Sequence, residues 1–372
     1  MGNSFQIGKI AGISIRIDYT WFVVFALVAL SLGGRYFPQA YPGWPPMTHW
    51  VMGIITALIF FSSVLAHELA HSLVSKARGV PVHSITLFIF GGVARISDEP
   101  KSPGSEFLMA LAGPATSVGI GVIFGAIYLA TKNSRTPLTA LAALLSYINL
   151  VVAVFNLIPG FPLDGGRILR SIVWKITGNL RKATRIASGL GRIVAYLLIL
   201  LGVLRALSGN WFNGIWIAFI GWFLLNAASS SYRQLAVREM LQGVKVSAVM
   251  TSDCPRLPGG LTIQELVDEY ILRTTHRCFP VVDNGNILGI ITMHIVKEIP
   301  REQWAVMRVE EAMTPFGEMK TVRPDDDLYT VMRQMTEEGM DQLPVVEDGQ
   351  LMGMISRDSL VGFINARSEL GV

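Results

Sequence analysis

VMGIITALIFFSSVLAHELAHSLV, residues 51–74, is a run apolar enough to cross a membrane, and near its end it carries His67, Glu68 and His71. Residues four apart share one face of a helix, so the two imidazoles can grip a single metal ion. Glu68, beside the first histidine, can take a proton from a water that such a metal activates. Ionisable side chains in hydrocarbon are costly, and three within one turn call for a functional reason. His-Glu-x-x-His is a short pattern that arises by chance in soluble helices. A chance match inside a membrane-length apolar run is the poorer account of it.

The composition agrees. Of 372 residues 51% are hydrophobic and only 16% charged, and the mean hydropathy is +0.46, values of a membrane protein. The charge is uneven. Residues 106 to 160 carry very little of it, whereas 245 to 372 read like a water-soluble domain. About six apolar stretches approach or exceed the length that spans a core of ~30 Å at 1.5 Å per residue; they lie near 18–34, 51–74, 105–131, 138–159, 185–207 and 211–228. The opening residues MGNSFQIGKIAGISIRIDYT lack the pattern of a cleaved signal peptide, so the first apolar run is expected to remain as a span. The two cysteines, Cys254 and Cys278, fall in the soluble half without CxxC spacing and read as reduced thiols. A net charge of +4 fits loop bias in a membrane protein and does not point to nucleic acid.

Lys and Arg set the orientation. With the N-terminus in the cytoplasm, the inner segments hold Lys9, Arg16, Lys76, Arg78, Arg95, Lys101, Arg167, Arg170, Lys175, Arg181 and Lys182. The outer loops hold only Arg35, Lys132, Arg135 and Arg205. Six spans return the soluble half to the cytoplasm. Between the second and third spans, residues 83 to 96 are too short to cross, rich in β-branched and aromatic residues, and carry Gly91-Gly92. They predict a hairpin at the membrane boundary. By itself such a hairpin is structural; beside a metal site, its edge becomes a place where an unwound substrate could add as a strand.

Residues 229–243 read as a polar helical linker, and two repeats follow. VSAVMT at Val246–Thr251 matches VEEAMT at Val309–Thr314. FPVVD at Phe279–Asp283 matches LPVVE at Leu343–Glu347, and GIIT at Gly289–Thr292 matches GMIS at Gly353–Ser356. The offset stays at 63 to 64 residues, which chance does not easily produce in three ordered matches. Each repeat predicts a helix, a strand, an Asp/Asn-Gly turn and a second strand.

A catalytic zinc usually takes three protein ligands and a water, so two histidines leave one ligand to find. His276 and His294 lie in the soluble half. Asp164 is the better candidate, in Asn156-Leu-Ile-Pro-Gly-Phe-Pro-Leu-Asp164-Gly-Gly-Arg167, as the lone carboxylate after a long uncharged span. Pro159 and Pro162 break the helix before it, and Gly165 and Gly166 let the backbone approach closely. Asn156 can donate hydrogen bonds from within the bilayer. The plainer role for Asp164 is a helix cap at the cytoplasmic face.

Taken together, His67-Glu-x-x-His71, the Asn156-to-Asp164-Gly motif and Ala112-Gly113-Pro114 resemble the site-2 protease family of intramembrane zinc metalloproteases. The repeats resemble a pair of CBS domains, which places the likeness in the CBS-bearing branch and extends it over the whole chain. Residues 1–228 would form the transmembrane metalloprotease domain, 229–243 a helical linker, and 244–304 and 305–372 the two CBS repeats. The fold implied is a multi-span α-helical membrane protein, with about six helices and a membrane-boundary hairpin, followed by an α/β CBS pair. The resemblance implies one zinc on His67, His71 and Asp164, with Glu68 as general base and then acid. It implies that the Asn156 amide helps hold the oxyanion and that Gly91-Gly92 receives substrate. Where relatives often have Asn after Ala-Gly-Pro, this chain has Thr116 and Ser117, a difference expected to matter little for the metal.

The substrate implied is a membrane-tethered protein such as an anti-sigma factor or pro-sigma factor, cut at the cytoplasmic side of the cell membrane. CBS pairs commonly bind ATP or another adenine nucleotide and dimerise. The family's ribose pattern is Ser or Thr, two residues, then Asp. Thr292 has no acid at that spacing, and Asp358 stands one residue early after Ser356, so docking or dimerisation rivals nucleotide sensing. The competing function is a CBS-gated transporter or channel. It would be expected to show repeated halves in the membrane part, and none is evident.

Overall fold

The computed structural model describes residues 4–370 apart from 90, 97–99, 135, 253, 275–277 and 284–285. Arg135, His276 and the Asn284-Gly285 turn of the first repeat therefore lie outside the described residues. The chain divides into two compact units, Met1–Arg233 and Gln234–Val372.

The first unit begins with two strands, β1 (Ser4–Ile10) and β2 (Ile13–Asp18). Alternation builds β2: Ile13, Ile15 and Ile17 are buried, while Ser14, Arg16 and Asp18 face the other way. The Asp18 carboxylate then accepts from Thr20 N–H at 3.0 Å and caps helix α1 (Tyr19–Ser31), which continues through a π-helical turn (Leu32–Tyr36) into α2 (Phe37–Ala40). The long helices that follow are α3 (Pro46–Ala77), α4 (Pro103–Thr131) and α5 (Pro137–Asn156), each with proline in its first turn, where the missing N–H costs nothing. Next come a shorter α6 (Asp164–Thr177), then α7 (Leu180–Leu207) and α8 (Trp211–Leu241).

Six segments are long and apolar enough to cross a membrane: Tyr19–Ala40, Pro46–Ala77, Pro103–Thr131, Pro137–Asn156, Leu180–Leu207 and Trp211–Leu241. Their outward faces carry large apolar side chains such as Val122, Leu129, Val154 and Leu200, each more than half exposed. Exposure on that scale suits lipid rather than water. Two boundaries differ from the sequence reading. The fourth span stops at Asn156, ahead of both prolines, and the last runs on to Leu241 through the polar 229–243 stretch as one continuous helix. Polar residues end a membrane segment but do not end a helix.

The predicted hairpin is present as β3 (Val82–Phe88) and β4 (Gly91–Ile96), but as half of a larger sheet ordered β1-β2-β3-β4. The pairing of β2 with β3 is parallel, Ser14 to Ser84 through Ile17 to Leu87, and so joins segments some seventy residues apart. Among the described residues β4 is an outer strand. The sheet packs on α3: Ile13, Ile15, Val82 and Ile85 bury against Leu65 and Leu69, the residues that flank His67.

The second unit holds the repeats. The first has a short helix (Ile263–Glu265) running into a π-helical segment (Leu266–Ile271), and a sheet ordered β5-β6-β7-β8, in which Leu257–Pro258, Cys278–Asp283 and Asn286–Thr292 are joined by Thr314–Pro315 from the second repeat. The second has a helix (Leu328–Glu338), the antiparallel pair β9 (Gln342–Glu347) and β10 (Gln350–Ser356), and a closing helix (Arg357–Leu370). Each repeat has its own core, around Phe279, Val281 and Ile291 in one and Leu343, Val345 and Ile355 in the other. The matched motifs FPVVD and LPVVE thus form equivalent buried strands.

Candidate metal centre

His67 and His71 lie one turn apart on α3, 5% and 6% exposed. Asp164 reaches them from 93 or more residues further along: its Oδ2 lies 3.1 Å from His67 Nε2 and 3.1 Å from His71 Nε2, and the two Nε2 atoms are 3.2 Å apart. Among the described residues these three form the cluster of ligand-type side chains close enough to share one ion. Ligands about 2.0–2.1 Å from a tetrahedral zinc stand roughly 3.3–3.4 Å from one another, so the observed spacing fits.

The partners of the other ring nitrogens bear on which atoms are bare. His71 Nδ1–H donates to the Met109 carbonyl at 2.6 Å. His67 Nδ1 lies 2.9 Å from Ser117 Oγ, which can accept likewise. With Nδ1 carrying the proton in each neutral ring, both Nε2 lone pairs point at the carboxylate oxygen. Three acceptor atoms in mutual contact repel one another unless a cation or a shared proton lies among them.

Asp164 is the first residue of α6, and Leu163 before it gives no side-chain cap. Its carboxylate turns to the histidines rather than to the helix backbone, so the capping role is set aside. The glycines explain the close approach. A Cβ at Gly165 would strike the Leu157 and Ile158 carbonyls, and one at Gly166 would strike Gly160 and Phe161. The turn before α6 folds back on the loop because both are hydrogen. The loop also leans on α7, where Phe161 N–H donates to the Ala187 carbonyl at 3.1 Å and Gly160 meets the backbone of Gly191.

Glu68 is half-buried beside the cluster, and its Cγ and Cδ lie against Gly92 of β4. Asn156 is the last residue of α5, half-buried, and makes no side-chain hydrogen bond among the described residues. Gly91, at φ +124°, pairs with Phe88, and Gly92 pairs with Leu87. In the repeats, Thr292 Oγ1 accepts from Ile295 N–H at 3.4 Å and Ser356 Oγ accepts from Ser359 N–H at 3.1 Å, so both hydroxyls begin helices. Asp358 is exposed. The expectation that Thr116 and Ser117 matter little is corrected by the Ser117 contact with His67. The likeness dealt in ligand positions, and a serine on a neighbouring helix carries no ligand signal of its own.

Gly113 lies against both histidines, where a Cβ would collide with the Nε2 atoms of His67 and His71. The weak Ala112-Gly113-Pro114 signal therefore has a physical meaning: α4 must come this close to seat the rings. Gly92 plays the same part for Glu68. Gly92→Ala is expected to leave zinc bound and to lower turnover on the order of 100-fold, the scale of a 1 Å misplacement. Metal analysis beside a cleavage assay checks it; zinc lost along with activity would count against a selective displacement of Glu68.

A metal-dependent peptidase set among membrane helices is the class of protein that this fold and cluster define. Residues 55–134 and 130–201 match the model of Peptidase family M50, and 246–300 and 309–366 match the CBS domain model. The chain is 38% identical to the candidate zinc metalloprotease sll0528 of Synechocystis sp. over 97% of its own length and 95% of that protein. It is 32% identical to the candidate zinc metalloprotease Rip3 of Mycobacterium tuberculosis, covering 98% and 94%. To zinc metalloprotease MJ0392 of Methanocaldococcus jannaschii it is 30% identical, covering 97% and 96%. The chain belongs to peptidase family M50, the site-2 proteases, among members that carry a CBS pair, and it is a multi-pass membrane zinc metalloprotease. That membership displaces the transporter reading.

Proposed function

We propose that the protein hydrolyses a peptide bond of a membrane-tethered protein at a zinc held by His67, His71 and Asp164. The observation that carries this is the convergence of two bare Nε2 lone pairs and one carboxylate oxygen within 3.1–3.2 Å. When bound, zinc supplies Lewis acidity, lowering the pKa of water toward ~7 and polarising a carbonyl. The Glu68 carboxylate takes a proton from the attacking water as its oxygen adds to the carbonyl carbon. Glu68 then gives that proton to the amide nitrogen as the C–N bond breaks. The Asn156 side-chain amide, at the mouth of the Asp164 loop, donates to the developing oxyanion.

The outer strand β4 receives the substrate in extended form at Gly91-Gly92, next to Glu68. A helix hides its carbonyls in hydrogen bonds, and strand addition exposes the bond to be cut. In this reading residues 1–228 are the protease, 229–243 the linker, and 244–304 and 305–372 the CBS repeats. The basic inner segments favour a cytoplasmic N-terminus and CBS pair. A regulator such as an anti-sigma or pro-sigma factor suits a bond cut at that face.

The CBS pair serves to sense ATP or a related adenine nucleotide through Thr292, Ser356 and Asp358, and to pair with the CBS unit of a second copy. The helix-starting hydroxyls and the misplaced acid favour docking as the rival role of this unit. The test uses the full chain in liposomes with a tethered substrate, with and without chelator and ATP. Cleavage abolished by chelation and restored by zinc supports the protease mechanism. A metal-independent rate overturns it. ATP that raises or lowers the rate several-fold supports the sensor; an unchanged rate and unchanged melting temperature with ATP leave the CBS pair as a docking unit.

A further inference from the structure

Asp164 is poorly anchored by its own helix. Gly165 and Gly166 follow it, both poor helix formers, and Leu163 offers no side-chain cap. Something beyond local propensity must hold that carboxylate against the histidines.

A buried ion pair lies on the same helix. Glu106 of α4 is 0% exposed and Arg170 of α6 9%. Arg170 Nε donates to Glu106 Oε1 at 2.5 Å, and its Nη2 reaches the same oxygen. The Arg170 guanidinium also lies over the Phe161 ring, 5.1 Å from the centroid, in the loop that leads to Asp164. Glu106 shares its face of α4 with Met109, Gly113 and Ser117, at spacings of three, four and four. Met109 and Ser117 hold the far nitrogens of His71 and His67, and Gly113 touches both rings. One stripe of α4 therefore holds the histidines at its inner turns and α6 at its first turn.

We propose that the Glu106–Arg170 pair is a positioning device that sets Asp164 in register with His67 and His71, with α4 as the common template. The inference rests on the zinc reading above. Removing two charges from water is expensive, and a buried pair is often no more stabilising than apolar residues of the same size. What the pair adds is a defined place. Two guanidinium nitrogens on one carboxylate oxygen, backed by an aromatic face, restrict how α6 can slide or turn against α4.

The test measures zinc affinity by chelator competition, the cobalt(II) absorption spectrum and the melting temperature, all on the full chain in detergent. The variants are Glu106→Gln, which keeps the size, and Arg170→Lys, which keeps the charge but not the two-nitrogen contact. The expected result is a 10–100-fold loss of metal affinity, the range for partners that orient ligands, with an altered cobalt spectrum at temperatures well below melting. A double exchange, Glu106→Arg with Arg170→Glu, is expected to recover part of the loss. Native affinity and spectrum in both single variants overturn the proposal, even with a lowered melting temperature, because the pair is then merely structural. If Glu106→Gln does not fold, Arg170→Lys decides alone. Failure of the wild-type chain to bind one metal overturns the zinc reading and the positioning role with it.

Discussion

Glu68→Gln is expected to keep one zinc per chain and to lose turnover by about 10²–10⁴-fold, the contribution of a positioned acid–base group. Gln fills the same space against Gly92 but can neither take the proton from water nor return it to the leaving nitrogen. Zinc stays because Glu68 is no member of the His67, His71 and Asp164 cluster. Elemental analysis of the purified variant beside kcat on a tethered substrate separates the two effects. Substantial cleavage by zinc-loaded Glu68→Gln would remove Glu68 from the mechanism. Loss of zinc would instead make Glu68 a ligand, contrary to the geometry.

Gly113→Ala should fail in the opposite way. In a helix interior, alanine is favoured over glycine by about 1 kcal/mol, so α4 alone gains from the change. Its new methyl group, however, falls on the Nε2 atoms of both His67 and His71, which belong to short, buried side chains pinned at Nδ1 by Ser117 and Met109. With both ends of each ring held, the rings cannot yield without leaving the cluster. A loss of zinc affinity beyond about 100-fold is expected, more than the 10–100-fold typical of orienting partners. The melting temperature of the metal-free protein should fall as well, because displaced rings give up their buried Nδ1 partners. Chelator competition and a thermal melt read the two outcomes separately, and zinc affinity within a few-fold of the wild type would show that α4 retreats at little cost. Glu68→Gln and Gly113→Ala both end activity, the first with zinc present and the second without it.

The two glycine variants also show how much of the site was legible beforehand. His67, His71 and Asp164 stand out because charge is rare in an apolar run, and a rare costly group needs a reason. The glycines at 92 and 113 carry no such mark. Their importance is a matter of which atom lies on the other side, and that atom comes from a different helix. Glu106 and Arg170 escaped for a related reason. Read along the chain, each is one charge near the end of an apolar segment, where a solvated or interfacial charge is the ordinary expectation.

The same division runs through the fold. Apolar length determined the membrane helices, because the bilayer core demands about 20 residues whatever the neighbours are. The period-two alternation and the 63–64-residue offset determined the paired repeats, since both are visible in the residues themselves. Only the tertiary structure decided that 4–18 joins the 82–96 hairpin in one sheet, because the parallel β2–β3 pairing has no local signature. It also decided that one face of α4 is the meeting place of α3 and α6. Local sequence records what each segment needs from its solvent, lipid or water. The partner that a buried side chain meets is set by packing among segments distant in the chain.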